Sequence, residues 1–110
     1  MDLGVFSLSL AVKDIKASLE FYQKLGFTIM DGNIDQNWLI LKNGDTKLGI
    51  FQGMFEENLL AFHPTDVRSI QKVLKGHGIA LTLEADETTT GLAHITMVDP
   101  DGNPIMIDQF

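Results

Sequence analysis

The sequence predicts an α+β fold in which two tandem β-α-β-β-β modules form a curved, cup-shaped mixed sheet with helices on its convex side. The first observation is an internal repeat, in which FSLSLAVKDIKASLEFYQKLGFTI is followed about 52 residues later by NLLAFHPTDVRSIQKVLKGHGIAL. At this offset Asp14 aligns with Asp66 and Gly26 with Gly78. The second observation is that each copy ends in a hairpin pattern, NGDTKLGIFQ and DPDGNPIMIDQ. Two copies of one small unit form two half-walls of a concavity, which is the usual shape of a small-ligand site.

The first copy begins with a strand and a helix. Residues 5–12 alternate between strongly apolar and smaller side chains, which predicts a strand with one apolar face. Asp14 can cap the following helix, because its carboxylate accepts from first-turn N–H groups. Gly26 suits a left-handed C-cap. The apolar stripe of this helix comprises Ile15, Leu19, Tyr22 and Leu25.

Three further strands complete the first module. We predict strands at Phe27–Met30, Asn37–Lys42 and Lys47–Phe51. Turn-forming residues separate them, at Asp31–Asn33 and at Asn43–Gly44.

The second copy repeats the order. Thr65 or Asp66 caps its helix, and Gly76 and Gly78 end it. The predicted strands are Leu59–Phe62, Ile79–Leu83, His94–Val98 and Pro104–Asp108, with an acidic, threonine-rich loop at Glu84–Gly91. The total is eight strands and two helices in a single domain, residues 1–110, with module 1 at about 4–52 and module 2 at about 58–110.

Composition narrows the possible partners. The formal net charge of −7 argues against nucleic acid, whose phosphates require clustered Lys and Arg. It favours solubility and would also attract a cationic ligand. No apolar run is long enough to span a membrane, and the N-terminus lacks a secretory signal pattern. The sequence contains no cysteine, which excludes disulfides and thiolate metal sites and fits a cytoplasmic protein.

Four stretches carry a family resemblance: Val12–Ile15, Ser18–Tyr22, Leu25–Phe27 and Asp99–Asn103. With them the whole chain resembles the vicinal oxygen chelate superfamily, which includes glyoxalase I, extradiol dioxygenases, fosfomycin-resistance enzymes and bleomycin-binding proteins. The resemblance implies two β-α-β-β-β modules that form a cup, within one chain or between two. It also implies frequent dimers, and the strand edges at the ends of the modules favour a homodimer. It does not select an activity, because one fold hosts many functions.

The resemblance also implies the position of a metal. Enzymes of this family often bind a divalent metal at the cup floor through His and Glu, whose nitrogen and oxygen donors suit such ions. The corresponding positions in this sequence are Ser7, Gly49, Leu59 and Met106. None offers an imidazole or a carboxylate. We therefore expect no metal and no cofactor, and we do not expect metal-dependent glyoxalase or dioxygenase chemistry.

Strand alternation predicts which residues face the helices and which line the cup. The helix-facing set is Leu8, Leu10, Leu39, Leu41, Leu60, Phe62, Ile95, Met97, Ile105 and Ile107. The cup-lining set is Ser7, Ser9, Trp38, Ile40, Gly49, Phe51, Leu59, Ala61, His63, His94, Thr96, Met106 and Asp108. Met54 and Phe55, between the modules, are placed to act as a lid over the mouth. This mostly apolar wall with a few polar points is typical of an organic-ligand pocket.

Several of these residues have more than one interpretation. Trp38 either stacks on a planar ligand or fills the cup floor or a dimer contact. His63 and His94 are candidates for ligand binding or proton transfer, although His63 could also face solvent at a strand end. Asp108 could pair with either histidine as an acid-base couple. Asp99 and Asp101 belong to an Asp-Pro-Asp-Gly sequence that is typical of a turn.

Three functions stay open. The leading hypothesis is a metal-independent small-molecule-binding protein of the glyoxalase/bleomycin-resistance type, with an apolar or aromatic ligand that could be cationic. The second is a glyoxalase-like lyase or isomerase, metal-independent or with a displaced metal, that uses His63, His94 or Asp108. The third is a regulatory or interaction module whose cup is filled. Without a cysteine or a Gly-x-Ser-x-Gly elbow there is no obvious nucleophile, so enzyme activity is uncertain.

Overall fold

The computed structural model describes all 110 residues and contains two α-helices, seven β-strands and one short 3-10 helix. In chain order the elements are β1 (Val5–Val12), α1 (Ile15–Lys24), β2 (Thr28–Asn33), the 3-10 helix (Ile34–Gln36), β3 (Trp38–Asn43), β4 (Thr46–Gln52), β5 (Leu59–His63), α2 (Val67–Gly76), β6 (Ala93–Val98) and β7 (Pro104–Gln109). The chain divides into two compact units: a first unit of Ser7–Asn58, and a second unit of Met1–Phe6 with Leu59–Phe110. The α+β fold class is confirmed.

The first unit has the expected β-α-β-β-β order. Strand β4 pairs with β1 in parallel and with β3 antiparallel, and β3 pairs antiparallel with β2. Helix α1 makes the crossover that a parallel pair requires. It packs Ile15 against Leu39, Leu41 and Ile50, all of which are buried. Partly buried side chains extend this core: Leu10, Val12, Leu19, Tyr22, Phe27 and Ile34.

The second unit has one strand fewer than expected. Strand β7 pairs with β5 in parallel and with β6 antiparallel. Helix α2 covers one face of these strands through a core of Val67, Ile70, Leu74, Ile95, Met97 and Ile107, with Phe62 and Ile105 packed against it. Together with Leu10, Leu39 and Leu41 in the first unit, these contacts match the helix-facing set. Leu8 and Leu60 are partly buried outside the two clusters.

The predicted strand at Ile79–Leu83 is wrong, so the total is seven strands rather than eight. Only Leu83 forms a β-bridge, to Thr96 of β6. The Thr82 backbone N–H donates to the Thr96 carbonyl at 2.8 Å, and the two threonine hydroxyls lie 2.7 Å apart. Residues 79–83 have the composition of a strand. The residues that follow them are held by hydrogen bonds to helix α2. Tertiary contacts therefore override the local strand propensity.

Side chains of helix α2 fix the loop at residues 84–91. Gln71 is buried and donates from Nε2 to the Ala85 carbonyl at 3.0 Å, while its Oε1 accepts from the Ala85 N–H at 2.7 Å. Arg68 donates to the carbonyls of Asp86 and Gly91 and to the Thr89 hydroxyl. The acidic loop is therefore anchored along its backbone.

A second boundary also differs from the sequence prediction. The composition of Asp31–Asn33 predicts a turn, but β2 continues through these residues with a register shift between Ile29 and Asp31. Gly32 has a φ of +104° and pairs with Leu39 on β3. These turn-forming residues therefore form a β-bulge. At a bulge, a glycine allows the backbones of the two strands to come close together.

The two modules use the same device to begin their helices. Besides the expected caps from Asp14 and Asp66, a glutamine at the end of a strand accepts from the first helical N–H. Gln52 Oε1 accepts from Ile15 N at 2.9 Å, and Gln109 Oε1 accepts from Val67 N at 2.9 Å. Each glutamine satisfies one of the donors that a helix N-terminus leaves unpaired. None of the helices is both long enough and apolar enough to cross a membrane.

Candidate functional site

The face of the first unit's sheet that lies opposite α1 carries many of the predicted site residues. Because Leu39, Leu41 and Ile50 pack toward α1, their neighbours along each strand point to the other face, which we call the open face. Cross-strand pairing arranges its residues in rows. The rows are Ala11, Phe51 and Trp38, then Ser9, Gly49 and Ile40, and finally Lys47 and Lys42.

Three aromatic rings cluster on the open face. The rings of Trp38 and Phe51 are nearly parallel, with an interplanar angle of 8° and centroids 6.4 Å apart. Phe55 packs on Phe51 with a centroid distance of 5.2 Å. All three side chains are only partly buried, and the adjacent Met54 is 53% exposed. The predicted lid residue Phe55 thus contacts the predicted lining residue Phe51, and an apolar, planar surface is available to a ligand.

Gly49 makes room for this cluster. A Cβ atom at residue 49 would overlap Cε2 of the Phe51 ring and would lie 3.4 Å from Cδ1 of Ile40. The ring of Phe51 therefore lies over the Gly49 backbone. Ser7 and Ser9, on β1, are both buried. An aromatic ring thus covers one of the four positions at which the family resemblance would place a metal ligand.

The second unit carries the three candidates for proton transfer on three neighbouring strands. His94 on β6 and Asp108 on β7 are directly opposite in the register, which places their Cβ atoms about 5 Å apart. The paired part of β5 and β7 ends at Phe62 and Ile107, and His63 is the last residue of β5. We call His63, Asp108 and His94 the histidine row.

The histidine row lies on the sheet face opposite α2, because Ile95 and Ile107 pack toward that helix. On the same face, Thr96 pairs with Met106, and Met106 pairs with the buried Ala61. The ring of His63 meets that of Phe110 edge-on, at 5.0 Å between centroids. Leu59 is partly buried and His94 is exposed.

The residues at the metal positions do not fit a divalent metal. Gly49 and Leu59 have no donor side chain, Met106 offers only a soft thioether, and the Ser7 hydroxyl is a weak ligand. No group of three His, Asp or Glu side chains lies close enough to hold a metal ion.

The perturbed acidic groups belong to turns. Asp99 accepts from the backbone N–H groups of Asp101 and Asn103 and from the Asn103 side-chain amide at 2.7 Å. The Asn103 hydrogen bonds hold the pKa of Asp99 below its usual value. Hydrogen bonds from Thr88 lower the pKa of Asp86 in the same way. These carboxylates stabilise local structure, and the expected turn at Asp99–Asp101 is confirmed.

Two surface features were missed from the sequence. An open depression of about 280 Å³ lies at the start of α2, between the N-terminal Met1 and residues Pro64, Asp66 and Ile70, and contains none of the predicted site residues. The other is the direct pairing of Lys42 with Lys47 on the open face. A tight turn after Asn43 determines this pairing, so the hairpin pattern itself contained the signal.

Comparisons with known proteins agree on the fold. The family model described as "Glyoxalase/Bleomycin resistance protein/Dioxygenase superfamily" matches residues 4–107. A superfamily member from Vibrio splendidus 12B01 is 18% identical, with 96% of this chain and 97% of that chain covered and a TM-score of 0.70. The structure titled NAD-dependent benzaldehyde dehydrogenase from Legionella pneumophila is 17% identical, with 96% and 98% covered and a TM-score of 0.79.

A third similar structure contains a bound molecule. A variant of Streptomyces coelicolor methylmalonyl-CoA epimerase in complex with 2-nitronate-propionyl-CoA is 18% identical, with 98% of each chain covered and a TM-score of 0.70. Comparison with curated proteins gave no match. Identities this low establish the fold but not the activity. The family-model match spans nearly the whole sequence, and the chain belongs to the glyoxalase/bleomycin resistance protein/dioxygenase superfamily.

Proposed function

We propose that this protein binds a small organic molecule without a metal, and that the open face of the first unit takes a planar aromatic or apolar ligand. The observation that carries this proposal is the partly exposed cluster of Trp38, Phe51 and Phe55. We further propose that the whole domain, residues 1–110, acts in the cytoplasm as a homodimer that covers its strand edges.

Physical chemistry favours a ligand on this cluster. Aromatic side chains left partly in water retain apolar surface that a planar molecule can bury, and ring contacts add about 0.5–1.5 kcal/mol per pair beyond that burial. Ile40 supplies further apolar surface in the row next to Trp38 and Phe51. The buried Ser9 lies in the same row as Ile40. The donor set at the metal positions supports a metal-free mode of binding. The similar epimerase structure holds 2-nitronate-propionyl-CoA, so this fold accommodates a small molecule in at least one other protein.

Binding can be measured with 2-naphthylacetamide, a neutral planar probe, by calorimetry. We expect Phe51→Ala to weaken binding by about tenfold, because it removes the ring that contacts both Trp38 and Phe55. Trp38 is the sole tryptophan, so its single indole N–H resonance should shift on binding.

Phe21→Ala is the matched control, because Phe21 is an exposed phenylalanine on α1 that packs edge-on against Tyr22. This variant should bind the probe as the native protein does. Treatment with EDTA should also leave the affinity unchanged. Equal losses for Phe51→Ala and Phe21→Ala would contradict the site, and dependence on added Ni²⁺, Zn²⁺ or Mn²⁺ would contradict metal-independent binding. If neither this probe nor a panel of apolar and aromatic compounds binds, the cluster serves packing, as in an interaction module with a filled cup.

A second function, proton-transfer catalysis, is favoured by one observation, the direct pairing of His94 with Asp108. A carboxylate beside an imidazole can orient it and stabilise its charged form, as a general base requires. In this proposal His94 removes a proton next to a carbonyl group, and Asp108 positions the ring.

Solvent exchange of acidic C–H protons tests this second proposal. Incubation of small carbonyl compounds with the protein in D₂O should give deuterium incorporation that His94→Gln abolishes and Asp108→Asn slows by at least about tenfold. His77→Gln is the control, because His77 forms the C-cap of α2. The catalytic proposal fails if no compound exchanges above background, or if His94→Gln exchanges as fast as the native protein.

A further inference from the structure

Two lysines oppose each other on the open face. Lys42 on β3 and Lys47 on β4 are direct cross-strand partners, and they continue the alternation that places Ile40 and Gly49 on this face. Like charges directly opposite one another destabilise an antiparallel pair. The chain has eight basic residues against fifteen acidic ones, yet no carboxylate neutralises this pair. The ion pairs in the structure are Lys24 with Glu20 and Lys75 with Glu84.

The lysines lie at a defined distance from the aromatic cluster. Lys42 is four residues from Trp38 along β3, so their Cα atoms are about 13 Å apart. Lys47 is partly buried and Lys42 is exposed. The row that contains Gly49 and Ile40 lies between the aromatic cluster and the two lysines, and it is nearly free of polar side chains. The open face is therefore aromatic at one end and cationic at the other.

Two carboxylates lie near the lysines, but neither forms an ion pair with them. Asp31 pairs with Ile40 at the edge of the same face, but its Oδ1 accepts from Gly32 N at 2.8 Å, and it forms no ion pair with either lysine. Asp45 lies in the turn that joins the two strands and also forms no ion pair. An anion between Lys42 and Lys47 would relieve their repulsion and accept charge-assisted hydrogen bonds from both ammonium groups.

We infer that the ligand of the open face is an aromatic or apolar compound with one anionic group, a carboxylate or a phosphate. Its ring lies on Trp38 and Phe51, and its anionic group lies between Lys42 and Lys47. This inference rests on the proposed binding function and specifies the ligand's charge. It replaces the cationic ligand that the overall charge of −7 would favour, because Lys42 and Lys47 are directly paired on the open face and neither is in an ion pair.

A matched ligand series tests the sign of the charge. The compounds are 2-naphthylacetate, 2-naphthyl phosphate, the neutral 2-naphthylacetamide and the cationic 2-(2-naphthyl)ethylamine, titrated by calorimetry at low salt. We expect at least one of the two anions to bind about tenfold or more tightly than the amide, as one charge-assisted hydrogen bond would give. Added NaCl should weaken binding of the anion but not of the amide. The anion that binds more tightly shows whether the site prefers a carboxylate or a phosphate.

The variant Lys42→Gln/Lys47→Gln should lose the preference for the anion and retain the affinity for the amide. Lys13→Gln/Lys16→Gln is the control, because it changes the net charge equally at exposed residues next to and within α1. Each single variant, K42Q and K47Q, should lose part of the preference. These variants should fold at least as stably as the native protein, because they remove a like-charge pair.

The outcomes separate the inference from the proposed function. Equal affinities for the four compounds, or strongest binding of the amine, would overturn the anionic ligand and leave small-molecule binding intact. An anion preference that survives in Lys42→Gln/Lys47→Gln, or that disappears in Lys13→Gln/Lys16→Gln, would also overturn it. Binding of none of the four, nor of any compound in the aromatic and apolar panel, would refute the proposed binding function and this inference with it.

Discussion

Replacing Gly32 with alanine is expected to destabilise the protein by about 3 kcal/mol, combining a residue forced to positive φ with a steric overlap. A Cβ atom at residue 32 would lie 2.6 Å from the Trp38 carbonyl oxygen and 2.8 Å from Cα of Leu39. Both atoms are backbone atoms of the neighbouring strand, so no side-chain rotation relieves the overlap. Urea denaturation followed by circular dichroism measures the loss.

The control for this prediction is Gly53→Ala. Gly53 also has a positive φ, +78°, but a Cβ atom at residue 53 would have no neighbour within 4 Å. It should therefore cost only about 1 kcal/mol, the strain of positive φ alone. If the two variants lost equal stability, the close approach of β2 and β3 at Gly32 would be refuted. In Gly32→Ala the indole N–H resonance of Trp38 should also shift, because the overlap is with the backbone of that residue.

The substitution Gln71→Leu is expected to cost about 2–3 kcal/mol, because it leaves a partly buried N–H and a partly buried carbonyl of the loop without partners. Gln71 is 1% exposed and makes both hydrogen bonds to Ala85, as well as one to the Glu87 carboxylate at 2.8 Å. Leucine preserves the approximate volume and the helix propensity, so the loss reports the hydrogen bonds. Amide hydrogen exchange should accelerate across residues 84–91 more than in β6 and β7.

Gln23→Leu provides the comparison for this loss. Gln23 lies exposed on α1, and the same change there should alter the stability by no more than about 0.5 kcal/mol. Similar losses in the two variants would mean that the helix, and not the loop, carries the effect. Unchanged exchange in residues 84–91 would show that Arg68 alone anchors the loop.

The candidate site could be predicted from the sequence only as a set of faces. Alternation along the strands predicted Trp38, Ile40 and Phe51 on the face opposite Leu39 and Leu41, because side-chain direction in a strand has a period of two. It could not show that the Phe51 ring lies over Gly49 and contacts Phe55. Those contacts depend on rotamers and on the path of the chain after β4.

The sequence pattern could not predict which side chains on different strands lie next to each other. The pairing of His94 with Asp108 depends on the register across the turn at Asp99–Gly102. A shift of one residue would place the two side chains on opposite faces of the sheet. The glutamine contacts at Ile15 and Val67 were also missed, although both hairpin patterns end in glutamine. Each joins residues about forty positions apart, a separation that local periodicity does not address.

The sequence by itself determined the repeat, the two helices with their Asp14 and Asp66 caps, and the apolar faces of the strands. These features follow from local rules, namely the 3.6 and 2.0 residue periods and the capping preferences. Only the tertiary structure decided that residues 79–83 form a single bridge, that Gln71 anchors the following loop, and that the Phe51 ring lies over Gly49. The physical reason is that strand register and long-range hydrogen bonds can override local propensity, since each residue's environment is set by partners distant in the chain.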